Sequence, residues 1–224
     1  MKYRSIAIDG PSGAGKSTMA KRIAQTLGFV YVDTGAIYRT VGYHMDLMGI
    51  GPKDVDGITR LIGDVGLKIT YDEEGSQHMI LNGVDVSADI RTPEMSMIAS
   101  TISAHKVVRD FLLDTQRDIT KSYDTVMDGR DIGTVVLPRA DVKIYLTASA
   151  EVRAERRVKQ LLESGQKVDY QRTLREIIQR DEQDMNRAIA PLRQAADAVL
   201  VDSSDLTLDE TLDAMLAVIR AKLG

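Results

Sequence analysis

The chain has no cysteine and no tryptophan among its 224 residues, and aromatic residues make up only 4% of it. Without cysteine it cannot form a disulfide, a thiolate metal site or a cysteine nucleophile. With so few aromatic side chains, a base-stacking platform for single-stranded nucleic acid is not expected. No stretch of about 18 apolar residues occurs, and the opening segment MKYRSIAIDG has no apolar leader. We therefore expect a soluble, cytoplasmic protein without a membrane partner.

The overall charge is close to neutral. Lysine and arginine number 29 against 33 aspartate and glutamate residues, which leaves a formal net charge of -4. A mild acidic excess does not favour binding to polymeric nucleic acid through overall charge. Hydrophobic residues make up 43% of the chain, which is enough for a sizeable core. We expect a single domain, or a core that carries an insert.

Five short apolar, β-prone runs alternate with helical patterns along the chain. They cover residues 5–9, 29–33, 125–128, 142–146 and 198–202. This alternation predicts an α/β fold with a central parallel five-stranded sheet. From residue 66 to residue 87 the pattern changes to a meander, and Asn82-Gly83 between two apolar runs is typical of a hairpin turn. We therefore predict a small antiparallel insert.

Helix signals occur at several places along the chain. A helical pattern covers residues 16–27. Thr92 can cap a helix with Pro93 in its first turn, and helical patterns then continue to about residue 123. Thr207 and Glu210 have capping-box spacing before the last apolar stripe, which predicts a C-terminal helix with a buried face.

The histidines show no sign of a metal or catalytic site. They lie far apart, and no carboxylate partner is apparent for His44, His78 or His105. We interpret them as ordinary surface or boundary residues.

A glycine-rich loop follows the first predicted strand. Its sequence, GPSGAGKS, matches G-x-x-x-x-G-K-[ST] in full and lies between a strand and a helix. The backbone N–H groups of such a loop point at phosphate oxygens, and the following helix adds its positive dipole end. We expect Lys16 to contact the β- and γ-phosphates of a bound nucleotide and Ser17 to contact Mg²⁺. The predicted ATP-binding residues are Gly10, Pro11, Ser12, Gly13, Ala14, Gly15, Lys16, Ser17 and Thr18.

A phosphate loop is shared by GTPases, ATP-driven machines and small-molecule kinases. No N-K-x-D segment for guanine recognition is present, and no second ATP-binding motif is visible in this short chain. Phosphoryl transfer to a small acceptor is therefore favoured. Such an enzyme needs a second anion site that faces the first.

Three further segments have the composition of an acceptor site: DTGAIYR at 33–39, DGRDIG at 128–133 and RDEQDMNR at 180–187. Together with GPSGAGKST, they resemble the bacterial cytidylate kinases, a branch of the nucleoside monophosphate kinases. The resemblance runs from residue 6 to the last helix and includes the meander. It implies a three-layer P-loop kinase with a helical lid, in which residues 1–50 and 125–224 form the core, about 153–172 the lid and 51–124 the NMP-binding insert.

The same resemblance implies transfer of the γ-phosphoryl group of ATP to CMP or dCMP, with Mg²⁺, by a monomer. It assigns cytosine recognition to Ser100, Arg109 and Asp131, and the acceptor phosphate to Arg39, Arg130 and Arg187. Thr34, where many members carry Ser, completes the nucleoside pocket with Tyr38, Arg180 and Asp184. A salt-bridged helix face explains the pattern of Arg180, Asp184 and Arg187 almost as well.

Arginines at 153, 156 and 157 fall on one face of a predicted helix. The resemblance implies that this helix belongs to a lid over the donor phosphates, with Arg153 and Arg157 joining Lys16, Arg130 and Arg187 in catalysis. The alternative is a surface helix with ordinary ion pairs. Asp128 ends an apolar run where it could orient the Mg²⁺ shell or fix Arg130.

Two other functions stay open at this point. A related kinase could act on UMP or a small hydroxylated metabolite. A catalytically silent module would bind the nucleotide without transferring phosphate to any acceptor.

Overall fold

The computed structural model describes residues 3–224, so the first two residues of the predicted core lie outside it. A parallel sheet of five strands confirms the fold class expected from the alternation. Its strands are β1 Ser5–Asp9, β2 Val30–Asp33, β6 Thr125–Gly129, β7 Val142–Thr147 and β8 Val199–Asp202. They lie in the order β2-β6-β1-β7-β8.

Eight helices accompany the sheets in the described part of the chain. They are α1 Lys16–Leu27, α2 Thr34–Leu47, α3 Val55–Leu61, α4 Pro93–Ile102, α5 Lys106–Ile119, α6 Ala150–Glu163, α7 Tyr170–Asn186 and α8 Leu208–Leu223. A five-residue π-helix, Ile132–Val136, follows β6.

The central strand β1 shows how the sheet is covered on both faces. Successive side chains of a strand point to opposite faces. Ile6 and Ile8 lie in an apolar cluster with residues of α1 and α8, whereas Ala7 lies in a second cluster with residues of α2 and α5. All three are fully buried. The chain therefore forms three layers, helices on each side of the sheet, as predicted.

The meander forms a separate antiparallel sheet of β3 Leu67–Tyr71, β4 Gln77–Leu81 and β5 Val84–Asp85. Asn82 and Gly83 connect β4 to β5 with φ angles of 49° and 89°, the positive values that a tight hairpin requires. Met79 and Leu81 of β4 are buried in the apolar cluster shared with β2 and α2. The division of the chain at residues 50 and 125 stays a prediction.

The helical patterns predicted from Thr92 to about residue 123 form two helices, α4 and α5. Thr92 caps α4, since its Oγ1 accepts from Met95 N–H at 3.1 Å, but the chain leaves the helix after Ile102 and re-enters one at Lys106. The capping box at the start of α8 is present, with reciprocal bonds between Thr207 and Glu210.

Two expectations about the histidines were wrong. His44 is buried, with 2% exposed, so it is neither a surface nor a boundary residue. His78 lies between two carboxylates, with Nδ1 2.7 Å from Asp85 and Nε2 3.2 Å from Asp72. The antiparallel pairing of β3, β4 and β5 brings these three residues together, which spacing along the chain does not reveal. The hydrogen bond to Asp85, and to a smaller extent the one to Asp72, raises the pKa of His78 above its ordinary value.

Within residues 3–224, no helix is long and apolar enough to span a bilayer.

Candidate active site

The segments singled out in the sequence meet at one edge of the parallel sheet. The phosphate loop follows β1, residue 34 follows β2 and the DGRDIG segment ends β6. These strands are neighbours in the order β2-β6-β1. Ligands of open α/β sheets bind at the carboxyl ends of the strands, so this edge is the candidate site.

The phosphate loop depends on glycine for its path. At Gly10 the φ angle is 151°, and a Cβ there would lie 1.9 Å from the carbonyl oxygen of Leu146 in the adjacent strand β7. At Gly15, the N-cap of α1, the φ angle is 86°. A side chain at either position would displace the loop or strain it. The loop therefore takes the turn from β1 into α1 that phosphate binding requires.

Lys16 lies folded over this loop. Its Nζ donates to the Pro11 carbonyl at 2.7 Å, and only 6% of the residue is exposed. Burial lowers the pKa of Lys16 well below its ordinary value, and the neighbouring charge of Arg130 lowers it further. An anion in the loop would relieve both penalties.

Asp128 lies at the centre of a small polar network beside the loop. Its Oδ2 accepts from Ser17 Oγ at 2.9 Å and its Oδ1 accepts from the Tyr31 hydroxyl at 2.8 Å. Burial raises the pKa of Asp128, with a further increase from the charge of Asp33. Asp128 contacts Ser17, while Arg130 pairs with Asp184 instead.

Asp9 is a site residue that the sequence reasoning missed. It ends β1, and its two carboxylate oxygens accept from the N–H groups of Ile132 and Gly133, each at 2.7 Å. Burial raises the pKa of Asp9 to about 6. This carboxylate ties the end of the DGRDIG segment to the strand that leads into the phosphate loop. The available signal was a charged residue directly after the apolar run of residues 6–8.

Asp131 lies between two arginines. Its Oδ2 accepts from Arg109 and its Oδ1 accepts from Arg187 at 3.1 Å. The guanidinium of Arg109 also lies 5.7 Å from the ring centroid of Tyr38 and donates to the Ser103 carbonyl at 3.2 Å. Burial raises the pKa of Asp131 while Arg109 opposes the rise.

Ser100 is less closely tied to this group. It lies half-buried on α4, and its carbonyl accepts from the Ser103 hydroxyl at 2.9 Å. Because the Ser103 carbonyl in turn accepts from Arg109, the end of α4 is joined to the Asp131 cluster through this short loop.

Three predicted phosphate-binding arginines each have a carboxylate partner. Arg39 pairs with Asp33 at 3.0 Å, Arg130 with Asp184 at 2.8 Å, and Arg187 with Asp131. Asp184 and Arg187 therefore pair with residues of the DGRDIG segment, and not with each other along the helix face that the sequence left open as an alternative.

The network nevertheless leaves donors unused. The Nε atoms of Arg39 and Arg180 are buried without a hydrogen-bond partner. Burial, followed by the charge of Arg130, lowers the pKa of Arg180 to about 10. A cluster of cations with unused buried donors is suited to an anion.

Thr34 uses its hydroxyl within the fold. It is 3% exposed, and its Oγ1 donates to the Asp128 carbonyl at 2.6 Å. The bond joins the start of α2 to the end of β6.

The three arginines predicted on one face of α6, the helix expected to belong to a lid, contact different partners. Arg153 is 4% exposed; it pairs with Asp181 at 2.6 Å and donates to the Ser12 carbonyl of the phosphate loop at 3.0 Å. Arg156 donates to the Ser203 carbonyl at 2.6 Å. Arg157, which is half-buried, donates to the exposed Gln160 at 2.9 Å.

The model of the family described as cytidylate kinase matches residues 6–221 of this chain. The chain belongs to the cytidylate kinase family. The cytidylate kinase of Caldicellulosiruptor saccharolyticus is 47% identical over 224 residues, covering 100% of this chain and 99% of that protein. The cytidylate kinase of Carboxydothermus hydrogenoformans is 48% identical over 217 residues, covering 97% of each chain.

Membership of the cytidylate kinase family confirms the resemblance seen in the motifs, and with it the enzyme class. The chain is a P-loop kinase, a phosphotransferase that uses ATP.

Proposed function

We propose that this kinase transfers the γ-phosphoryl group of ATP to CMP and dCMP, giving ADP and the corresponding diphosphate. The observation that carries the proposal is the cationic cluster with unused buried donors at Arg39 and Arg180, at the same sheet edge as the Lys16 loop. Two anion sites that face each other are what transfer between two nucleotides requires.

The donor is held by residues 10–18. Backbone N–H groups of the loop and the start of α1 bind the phosphates, and Lys16 exchanges its bond to the Pro11 carbonyl for the β- and γ-phosphates. Its lowered pKa returns toward the ordinary value once an anion compensates the buried charge.

The acceptor phosphate is held by Arg39, Arg130 and Arg187. Planar guanidinium groups donate pairs of parallel hydrogen bonds to phosphate. Arg39 also has its free Nε for this purpose. The carboxylates that pair with these arginines fix their positions before the acceptor arrives.

The base is read by Asp131, with Arg109 and Ser100 at its other edge. Cytosine presents an amino donor at N4, which a carboxylate accepts, whereas uracil presents an acceptor there. Tyr38 and Thr34 border the nucleoside, and Arg180 and Asp184 lie near the ribose.

Mg²⁺ fits the residues beside the loop. The Ser17 hydroxyl and the Asp128 carboxylate, 2.9 Å apart, are the hard oxygen ligands that this ion prefers. Bound there, Mg²⁺ would neutralise charge on the transferred phosphoryl group.

No side chain is needed as a nucleophile. An oxygen of the acceptor phosphate attacks the γ-phosphorus, the bond to the β-phosphate oxygen of ATP breaks, and ADP leaves with that electron pair. Lys16, Arg130 and Arg187 stabilise the charge that moves between the two phosphates.

The lid arginines have unequal tasks. Arg153 already contacts the loop through Ser12, so it acts from a fixed position. Arg157 is half-buried, donates to Gln160 of its own helix, and would reach the donor phosphates when the lid closes. Closure excludes water, which otherwise competes as acceptor.

A panel of acceptors tests this function. Purified enzyme with ATP and Mg²⁺ should phosphorylate CMP and dCMP with a kcat/KM at least about tenfold above that for UMP, AMP or shikimate. Preferential turnover of AMP or shikimate would overturn the assignment. ATP binding without transfer to any acceptor would support a silent module instead.

A further inference from the structure

Gln77 joins the three-stranded sheet to the five-stranded sheet. It is the first residue of β4, and its side chain meets the last residue of β2. The N–H of Asp33 donates to Gln77 Oε1 at 2.8 Å, and Gln77 Nε2 donates to the Asp33 carbonyl at 3.3 Å. One side-chain amide thus satisfies both polar backbone groups of one residue.

The position of β2 explains why this partner matters. It is an edge strand, and β6 is its neighbour in the parallel sheet. The outward N–H and C=O groups of an edge strand need another partner. A glutamine amide offers a donor and an acceptor as a peptide group does. Its Nε2 also lies 3.1 Å from the sulfur of Met79, which is buried at 1% exposure, so the amide is held in place.

Asp33 transmits this position to the acceptor site. Its Oδ1 caps α2 by accepting from Ala36 N–H at 2.9 Å, and its Oδ2 accepts from Arg39 Nη2 at 3.0 Å. A Cβ on Gly35 would lie 2.9 Å from Arg39 Nη1, so the guanidinium lies against the first turn of the helix. A shift of Asp33 therefore shifts Arg39.

We propose that Gln77 is a positioning residue for the acceptor. It holds Asp33, and through Asp33 it holds Arg39 where the acceptor phosphate binds. The three-stranded sheet thereby takes part in the recognition of a nucleoside monophosphate without touching it at this point. The inference rests on the proposed acceptor role of Arg39.

The variant Gln77→Leu keeps the size of the side chain and removes both hydrogen bonds to Asp33. We expect the KM for CMP to rise about tenfold, the loss typical of one or two hydrogen bonds. The KM for ATP should change by less than about twofold, because Gln77 does not contact the phosphate loop. The preference for CMP over UMP should be unchanged, since Asp131 and Arg109 are intact.

Ser87→Ala is the matched control. Ser87 Oγ accepts from Met79 N–H at 2.9 Å, so this variant loosens the same strand β4 without touching Asp33. Its KM for CMP should stay within about twofold of the wild-type value. An equal rise in both variants would mean general loosening of the sheet and would overturn the proposal, as would an unchanged KM in Gln77→Leu.

A double-mutant cycle tests the route through Arg39. In an Arg39→Ala background, Gln77→Leu should raise the KM for CMP by less than about twofold more, because the residue it positions is absent. A full independent increase contradicts the proposal. If Gln77→Leu does not fold, Gln77→Glu replaces it in the same assays. This variant keeps the acceptor for Asp33 N–H and loses the donor to the Asp33 carbonyl. The same rise in the KM for CMP is expected.

Amide hydrogen exchange separates failure of this inference from failure of the proposed function. The Asp33 N–H should exchange faster in Gln77→Leu than in wild type or Ser87→Ala, whichever acceptor the enzyme uses. Unchanged protection overturns the link itself. Absence of CMP turnover by the wild-type enzyme would refute the proposed function instead.

Discussion

The assignment of Asp131 to base reading makes a quantitative prediction for Asp131→Asn. Asp131 is 5% exposed, and each of its oxygens accepts from one arginine, Arg187 and Arg109. An ionised carboxylate has about four acceptor positions, so about two remain for the N4 amino group of cytosine. In the variant, an amide NH₂ group replaces one carboxylate oxygen. This donor cannot accept from the N4 amino group of cytosine, but it can donate to O4 of uracil.

The size of the effect follows from these partners. An unsatisfied buried polar group costs about 1–3 kcal/mol, and about 1.4 kcal/mol is a tenfold change. The ratio of kcat/KM for CMP to that for UMP should therefore fall by roughly 5- to 150-fold. The two buried guanidiniums also lose a charged partner, which costs up to about 3–5 kcal/mol of stability, so folding must be checked by circular dichroism.

The assay compares CMP and UMP at saturating ATP for the wild-type enzyme, Asp131→Asn and the control Asp110→Asn. Asp110 lies on α5 beside Arg109, is exposed and pairs with Lys106. Its substitution by Asn therefore makes the same chemical change outside the Asp131 cluster. Its ratio should equal that of the wild type. If Asp131→Asn leaves the ratio unchanged, or lowers both activities equally, Asp131 does not read the base.

Two further predictions concern the phosphate loop and its neighbour. Lys16→Met should lower kcat by roughly a hundredfold or more without lowering the melting temperature, since a buried charge with a depressed pKa is removed; an unaltered kcat would refute its contact with the phosphates. Burial raises the pKa of Asp9 from 3.8 to about 6, so the unfolded chain releases this proton at lower pH than the folded one. The free energy of unfolding should lose up to about 3 kcal/mol from this group between pH 4 and pH 6. Urea unfolding of the wild type and Asp9→Asn across this range tests it, and parallel curves would contradict it.

The parts of the fold that depend on local signals were predictable from the sequence. The loop from Gly10 to Ser17 follows from its motif, and the β4–β5 hairpin follows from Asn82-Gly83, whose positive φ angles few other residue pairs adopt. The start of α8 follows from the Thr207–Glu210 capping box. In each case the determining residues lie within a few positions of one another.

Contacts between distant segments were not predictable in this way. Arg130 pairs with Asp184, 54 positions further along the chain, and Gln77 reaches Asp33 across 44. Helical spacing correctly predicted that Arg153 and Arg157 lie on one helix. It does not reveal that Arg153 pairs with Asp181 and donates to the phosphate loop. Roles for such residues could be proposed only from the family resemblance, because the members of a family share a tertiary fold and therefore the contacts between distant segments.

The most direct test of the account follows the transferred group itself. The enzyme is incubated with Mg²⁺, CMP and ATP whose γ-phosphate oxygens carry an isotopic label, and the products are separated and weighed by mass spectrometry. We predict that the label appears in the β-phosphate of CDP, with one ADP formed for each CDP. Release of the label as inorganic phosphate with CMP unchanged would contradict direct transfer between the two sites.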